Sequence, residues 1–432
     1  MKFSERSAKK SEISIQDYYA IKIKSIWLGL KQESPAFWWL CFYIFLEYVR
    51  PASLYPVLDI LPWAQIALVA ACVTALSDKS ISWVSSAGNF LILTFFLVVL
   101  LASILAFRSS LSWDKIDIPI NWVILYFLVV AVVNTEKRFF VFVLLFLLVN
   151  FKMSQHGFFS FAKRGFAYTK WGVVGSPGWF RDSGDFGIAM LVFFPVAFAF
   201  TFALKEYWGR YKKWLFYFIP ISGVVTVIAT SSRGAQLGMV AVGVWFLLKS
   251  RKGMKAMMGI IVVGGLLYAM LPDRMLAEYQ TAGDDRTSQA RLEHWEFGLD
   301  VIRDNPLIGV GFNNWLAYCN YLNPNGLGIK DKCQLPHNTY IEAGAELGII
   351  GLLLYVSLAF YVFKINARTR ANSKIINNKL FNNLAHGLDG GLVGYLVATI
   401  FFSELFYPVF WMQLSMSVAL NKLSDKKVQL NQ

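Results

Sequence analysis

Three short segments of this 432-residue chain carry side chains that could do chemistry on an anion. Thr230-Ser231-Ser232-Arg233-Gly234 sets a guanidinium between two apolar runs with hardly any loop. Arg286 and Arg291 stand in a polar stretch, the second within Arg291-Leu292-Glu293-His294-Trp295. Pro336-His337-Asn338-Thr339-Tyr340-Ile341-Glu342 brings an imidazole to the point where that stretch enters another apolar run. A guanidinium stays charged, and its planar fork binds phosphate oxygens two at a time. An imidazole can take a proton from an attacking hydroxyl, a contribution of about 10²–10⁴-fold. Fixed arginines beside such a base would neutralise the charge developing on a diphosphate leaving group. Singly, each has a plainer explanation: Arg233 snorkels at a helix end, Arg286 and Arg291 are surface charges, and His337 marks a helix entry. The combination favours a site for an anionic lipid headgroup.

The elements that must position these groups are membrane helices. Hydrophobic residues make up 56% and charged residues 16% of the chain, against roughly 45–50% and 25% in soluble domains. With 37 Phe, 19 Tyr and 15 Trp, the composition predicts an all-α polytopic membrane protein with aromatic interface belts. Apolar runs near the length needed to span a bilayer predict twelve spans: Pro35–Val49, Val57–Leu76, Asn89–Phe107, Pro119–Asn134, Phe139–Met153, Gly184–Leu204, Trp214–Thr230, Ala235–Lys249, Met257–Leu271, His337–Phe363, Leu384–Ser403 and Tyr407–Leu423. The first 30 residues scatter Lys and Glu and lack a compact apolar region with a cleavage site, so segment 1–34 is expected to stay as an interfacial piece.

Charge sets the orientation. Placing the N-terminus inside puts 26 of the 41 Lys and Arg in the inner segments and their flanking span ends, which leaves 15 outside. The inner loops are short and dense, where the positive-inside rule counts most. Both termini are therefore expected in the cytoplasm, including the tail 424–432. Much of the formal +14 is then an orientation signal and an attraction to membrane lipids, and nucleic-acid binding is a poor reading.

Spans 1–9 occupy 35–271, with an outer loop near 154–183; a longer outer loop, 272–336, precedes spans 10–12 at 337–423. Within the longer loop, Leu292, Trp295, Leu299 and Ile302 share one face of a helix expected over Ser288–Arg303, a small cap between spans 9 and 10 ended by Asn305-Pro306. Thr339 and Glu342 have capping-box spacing, so the next helix is expected to begin there with His337 just before its mouth. Cys319 and Cys333, both in the outer loop, could form a bridge worth about 3 kcal/mol, whereas Cys41 and Cys72 fall in apolar spans as small hydrophobes. The four His form no paired metal motif, and Asp182 with Asp185 or Asp284 with Asp285 reads as solvated loop acid. No metal and no cofactor is expected.

The sequence resembles the bacterial O-antigen ligase and O-antigen polymerase superfamily. The resemblance rests on Ser232-Arg233-Gly234 opening one span and on Arg291-x-x-x-Trp295 followed by Asn305-Pro306-Leu307-Ile308-Gly309-Val310-Gly311-Phe312. It is completed by Pro336-His337-Asn338-Thr339-Tyr340 ahead of Glu346-Leu347-Gly348-Ile349-Ile350-Gly351. Gly175-Ser176-Pro177 and Arg181-Asp182-Ser183-Gly184-Asp185 are similar to the family's entry to a further span. The resemblance implies an inner-membrane, metal-independent, inverting glycosyltransferase. Its donor would be an undecaprenyl diphosphate-linked glycan and, in the ligase branch, its acceptor a lipid A-core hydroxyl at the periplasmic face, in lipopolysaccharide biosynthesis. It implies that His337 activates the acceptor while Arg233 and Arg291 hold the diphosphate. Arg181 and Arg286 would be further phosphate contacts, with Asn338, Tyr340 and Glu342 as acceptor or supporting residues.

Polymerases and protein O-oligosaccharyltransferases of the superfamily share the donor, so the donor motifs do not separate them. A carrier-lipid or sugar transporter is the reading from another class. It would place its unusual charges near the bilayer midplane in matching halves, whereas those here gather on the outer side.

Overall fold

A computed structural model describes residues 13–249 and 286–431, apart from 82, 84, 85, 170 and 328–331. Its described residues contain helices and no strand. The principal helices are α1 (Pro35–Val49), α2 (Trp63–Ser77), α3 (Ala87–Ile104), α4 (Asp117–Val132), α5 (Glu136–Lys163), α6 (Ser183–Leu204) and α7 (Arg210–Ala229). They continue with α8 (Arg233–Lys249), α9 (Arg286–Asp304), α10 (Trp315–Leu322), α11 (Thr339–Ile375), α12 (Lys379–Ala398) and α13 (Pro408–Asn431). Among the described residues, seven helical stretches are long and apolar enough to cross a membrane, including α3, α5, α6, α7, α11 and α12. The expected span Met257–Leu271, residues 272–285 and the pair Asp284-Asp285 lie outside the described residues. The second expected span starts later than its apolar run: Pro56 and Pro62 interrupt the backbone, and the helix begins at Trp63.

The helix least exposed to surroundings, α6, packs on α12, α7 and α8. Glycines on α12 make the α6 contact close, since a Cβ at Gly387 would lie 2.8 Å from the Pro195 carbonyl oxygen. The second buried column is α13, shut in from Pro408 to Leu420 and packed against α11, α4 and α12. Its Gln413, Ser415 and Ser417 are sealed from solvent, and Ser415 returns its hydroxyl to the Trp411 carbonyl one turn back at 2.7 Å.

Segments dense in cations meet at one end. Glu136 accepts from Tyr19 at 2.5 Å and Asn378 at 2.8 Å and pairs with Lys427, while buried Arg138 donates to Glu33 at 2.6 Å and to Ser34 and Ser80 at 3.3 Å. These contacts tie residues from the first third and the last third of the chain into one polar layer. The opposite end holds the polar segments singled out for chemistry.

At that opposite end α11 is two helices in line. Gly348 has φ +70° and ψ −179°, which breaks the helix. The freed carbonyls of Ala345 and Glu346 accept from Val310 (2.8 Å) and Gly311 (3.0 Å), and Ile349 N donates to Pro306 O at 2.8 Å. The Glu346 carboxylate takes the backbone N–H groups of Asn313 (2.8 Å) and Trp315 (3.0 Å), capping α10. The motif Asn305–Phe312 is thus a buckle locked into the break.

Candidate active site

Arg233 is the first residue of α8, and Ser232 caps that helix by accepting from Ala235 N at 3.3 Å. The tight turn before it needs Ser231 at φ +54°, an uncommon backbone that lets α7 reverse into α8 with hardly a loop. Asp182 caps α6, accepting from Gly184 N at 2.7 Å. Between these two helix starts lies the ring of Phe402: a Cβ on Gly184 would come within 2.1 Å of it, and one on Gly234 within 2.7 Å. The glycine after Arg233 therefore lets an aromatic wedge hold the two N-termini together.

A cavity of about 190 Å³ opens there, lined by Arg233, Arg291, Asp182, Ser231, Ser232 and Phe402 with neighbouring backbone. Two of the three principal residues expected from sequence are brought into one pocket from distant parts of the chain. Two helix N-termini face it, each a weak positive pole, and two guanidiniums add full charges. Asp182 supplies one opposing carboxylate. The arrangement suits a multiply charged anion such as a diphosphate.

His337 is half-buried at φ +48° and is not among the residues lining the cavity. Its placement follows from two clamps. Trp295, one turn along α9 from Arg291 and so on the same face, donates its indole N–H to the Pro336 carbonyl at 2.8 Å. Thr339 donates to the Phe402 carbonyl at 2.7 Å and accepts from Glu404 N at 2.8 Å. The residues flanking His337 are thereby tied to the helix of Arg291 on one side and to the aromatic wedge on the other.

A third clamp uses His294. Its Nδ1 lies 2.6 Å from the Ala290 carbonyl and its Nε2 accepts from Gln334 N at 3.0 Å, which assigns the proton to Nδ1. The disulfide Cys319–Cys333 forms, with its Cα atoms 6.0 Å apart, and anchors α10 to the same segment. Trp315 adds a bond from its indole to the Gln334 carbonyl at 2.7 Å.

Other expectations are redistributed. Asn338, and not the Thr339–Glu342 pair, caps α11, accepting from Tyr340 N at 3.0 Å and Ile341 N at 3.1 Å. The Thr339 hydroxyl is drawn away by Phe402 and Glu404, so the capping box does not form. Tyr340 donates to the Leu396 carbonyl at 2.7 Å, holding α11 to α12. Glu342 turns its Oε2 into a sealed position without a hydrogen bond among the described residues. Arg181 is exposed on the turn before Asp182, and Arg286 is exposed at the start of α9; neither lines the cavity. Phe402 was not signalled by the sequence at all, because nothing local distinguishes it from the other aromatics of an apolar run.

The fold and the cavity define an all-helical protein with several helices apolar enough to cross a membrane and an arginine-lined cavity at one end of its bundle. Residues 216–356 match the family model described as O-antigen ligase, which supports the O-antigen ligase superfamily. The match takes in Arg233, Arg291 and His337, along with both halves of the buckle at Gly348. That family is of the glycosyltransferase-like ligase and polymerase type, with lipid-linked glycan substrates. The chain has no match among curated proteins.

Proposed function

We propose that this protein is an O-antigen ligase of the bacterial inner membrane. In this reading twelve spans place both termini in the cytoplasm, and α9 with α10 forms a periplasmic cap over the cavity. Undecaprenyl diphosphate presents its glycan there, and the acceptor is a hydroxyl of lipid A-core. The observation that carries the reading is the single cavity shared by Arg233 and Arg291 at two helix N-termini, with His337 clamped beside it.

The acceptor oxygen attacks the anomeric carbon from the face opposite the diphosphate. The new C–O bond forms as the bond to the diphosphate oxygen breaks, so the anomeric centre inverts. The hydroxyl proton passes to His337. The electron pair leaves with the carrier diphosphate, whose added charge is met by Arg233 and Arg291 and by the N–H groups of α6 and α8. Asp182 holds the α6 terminus in place, and Phe402 keeps the two termini at a fixed spacing.

The test is transfer by purified protein from carrier-linked glycan, with lipid A-core, an acceptor protein or a second carrier-linked glycan offered in parallel. Product on lipid A-core supports the ligase. Product on protein alone, or elongation of the carrier-linked chain alone, moves the assignment to oligosaccharyltransferase or polymerase. Transfer in detergent also separates an enzyme from a transporter, which needs a sealed bilayer to be scored.

A further inference from the structure

A second cavity, of about 330 Å³, lies at the same end of the bundle and includes Trp63, Trp122 and Trp179 in its wall. Its size falls within the roughly 300–1,000 Å³ usual for small-ligand sites. The turn Gly178–Asp182 connects the two cavities, since Trp179 lines this one and Asp182 lines the other.

Its electrostatics differ from those of the diphosphate cavity. Glu47, Asp59 and Asp117 line it against a single cation, Arg50. A phosphate would be repelled. Among the described residues no three carboxylate, imidazole or thiol groups converge to hold a metal ion. A neutral ligand rich in hydroxyls fits this lining, since its hydroxyls can donate to the carboxylates and can both donate to and accept from the amides of Gln65 and Asn121.

The aromatic wall is built in advance. Glu47 accepts from the Trp179 indole at 2.5 Å and from Arg50 at 3.4 Å. The Arg50 guanidinium stands over the Trp179 ring, 5.8 Å from its centroid, and Gly178 makes room for it, because a Cβ there would lie 1.9 Å from Arg50 Nη1. Trp122 packs against Trp179 with centroids 6.0 Å apart. Trp122 is only 3% exposed, so the accessible rings of the wall are those of Trp63 and Trp179, both half-buried. Aromatic belt residues explain single tryptophans at a membrane boundary; they do not explain three in one concavity with three carboxylates.

We propose that this cavity is a sugar subsite, in which an uncharged pyranose lays its C–H face on the accessible indoles and shares its hydroxyls among the carboxylates and the amides. The assignment of the sugar to a transferred glycan or to an acceptor glycan rests on the ligase reading; binding itself does not. A rigid platform of this kind spends little of its interaction on ordering.

The experiment is a calorimetric titration of the full-length protein in detergent with two carrier-free, lipid-free oligosaccharides from the producing strain: its O-glycan and its core oligosaccharide. One of them is expected to bind saturably, and its identity assigns the source. Trp179→Ala and Asp59→Asn are each expected to weaken binding at least tenfold. Trp63→Ala, which removes a second accessible ring, is expected to weaken it severalfold. Asp59 is exposed, so its variant tests the site even where a tryptophan variant fails to fold. Binding of neither oligosaccharide, or affinity unchanged in Asp59→Asn and the folded tryptophan variants, overturns the subsite. Intact binding with no transfer to lipid A-core counts against the ligase reading alone.

Discussion

The indole N–H of Trp295 donates to the carbonyl of Pro336 at 2.8 Å, and this one bond ties the residue before His337 to the helix that carries Arg291. His337 and Arg291, the proposed base and one proposed anion clamp, are therefore positioned by a shared element. Trp295→Phe keeps a ring against Phe401, which lies 6.2 Å away, and deletes only the donor. Loss of one hydrogen bond costs about 1 kcal/mol, but a small displacement of a reacting group costs up to about 100-fold in rate. The variant is expected to keep its thermal stability within about 1 kcal/mol and its donor KM, while kcat falls about 10- to 100-fold. Steady-state kinetics in detergent read this directly; an unchanged kcat would free His337 from the clamp.

Arg233 and Arg291 line one cavity, so their contributions should be coupled. Arg→Lys at either position keeps the charge and loses the bidentate fork. Each single variant is expected to raise the donor KM about tenfold, corresponding to about 1.4 kcal/mol. The double variant should depart from the sum by about 0.5–3 kcal/mol, as groups acting on one ligand do. Strict additivity in the double-mutant cycle would mean that the two guanidiniums do not hold the same diphosphate.

Sequence patterns exposed the parts whose signal is local. Apolar runs located the described helices, and Arg233, Arg291 and His337 stood out because charged or titratable groups at a membrane boundary are costly. Effects of long-range packing were not readable. The apolar run from Val57 fails to be helical until Trp63 because prolines decide the backbone. Thr339 has a capping residue's chemistry but is recruited by Phe402 and Glu404, which come from a segment far along the chain. The glycines of Asn305–Phe312 look like turn residues; that they seat against a break at Gly348 depends on backbone pairing for which a single sequence has no marker.

His337 occupies the left-handed region at φ +48°, where Asn is tolerated better than Ala. His337→Asn is therefore the cleaner removal of the base. Transfer is expected to fall at least about 100-fold, with thermal stability and donor binding little changed. A loss of donor binding equal to the loss of rate would instead make His337 a substrate-holding residue.

Glu404 sits in the turn between α12 and α13, and its carboxyl is pushed well above its ordinary value of 4.5, first by burial and then by the neighbouring Asp185, with Glu342 and Asp182 acting in the same direction. The folded state therefore keeps a proton that the unfolded chain releases. Below the unfolded value both states are protonated and nothing is lost; as pH rises above it the unfolded chain is favoured, until the folded group also ionises. Thermal stability in detergent is expected to decline as pH rises from about 4.5 on this account. Glu404→Gln, neutral at every pH, should remove that component and raise the midpoint at neutral pH. An unchanged pH profile in the variant would assign the decline to other groups.

Gly348 meets two separate demands. At φ +70° and ψ −179° it lies in a region essentially reserved for glycine, and a Cβ there would come within 2.3 Å of the Leu307 carbonyl carbon and oxygen. The first demand costs about 1–3 kcal/mol for any other residue; the second is a backbone collision that no rotamer relieves. Gly165 isolates the conformational part, since it has φ +63° and a methyl added there would meet no described atom within 4 Å. Gly165→Ala is expected to cost about 1–2 kcal/mol. Gly348→Ala should cost more than about 3 kcal/mol or prevent the protein from accumulating, because it unseats the buckle that fixes α10 and the approach to His337. Equal destabilisation of the two variants, measured by thermal unfolding in the same detergent, would show that the break at Gly348 is a bend in a helix and not the joint on which the cap is mounted.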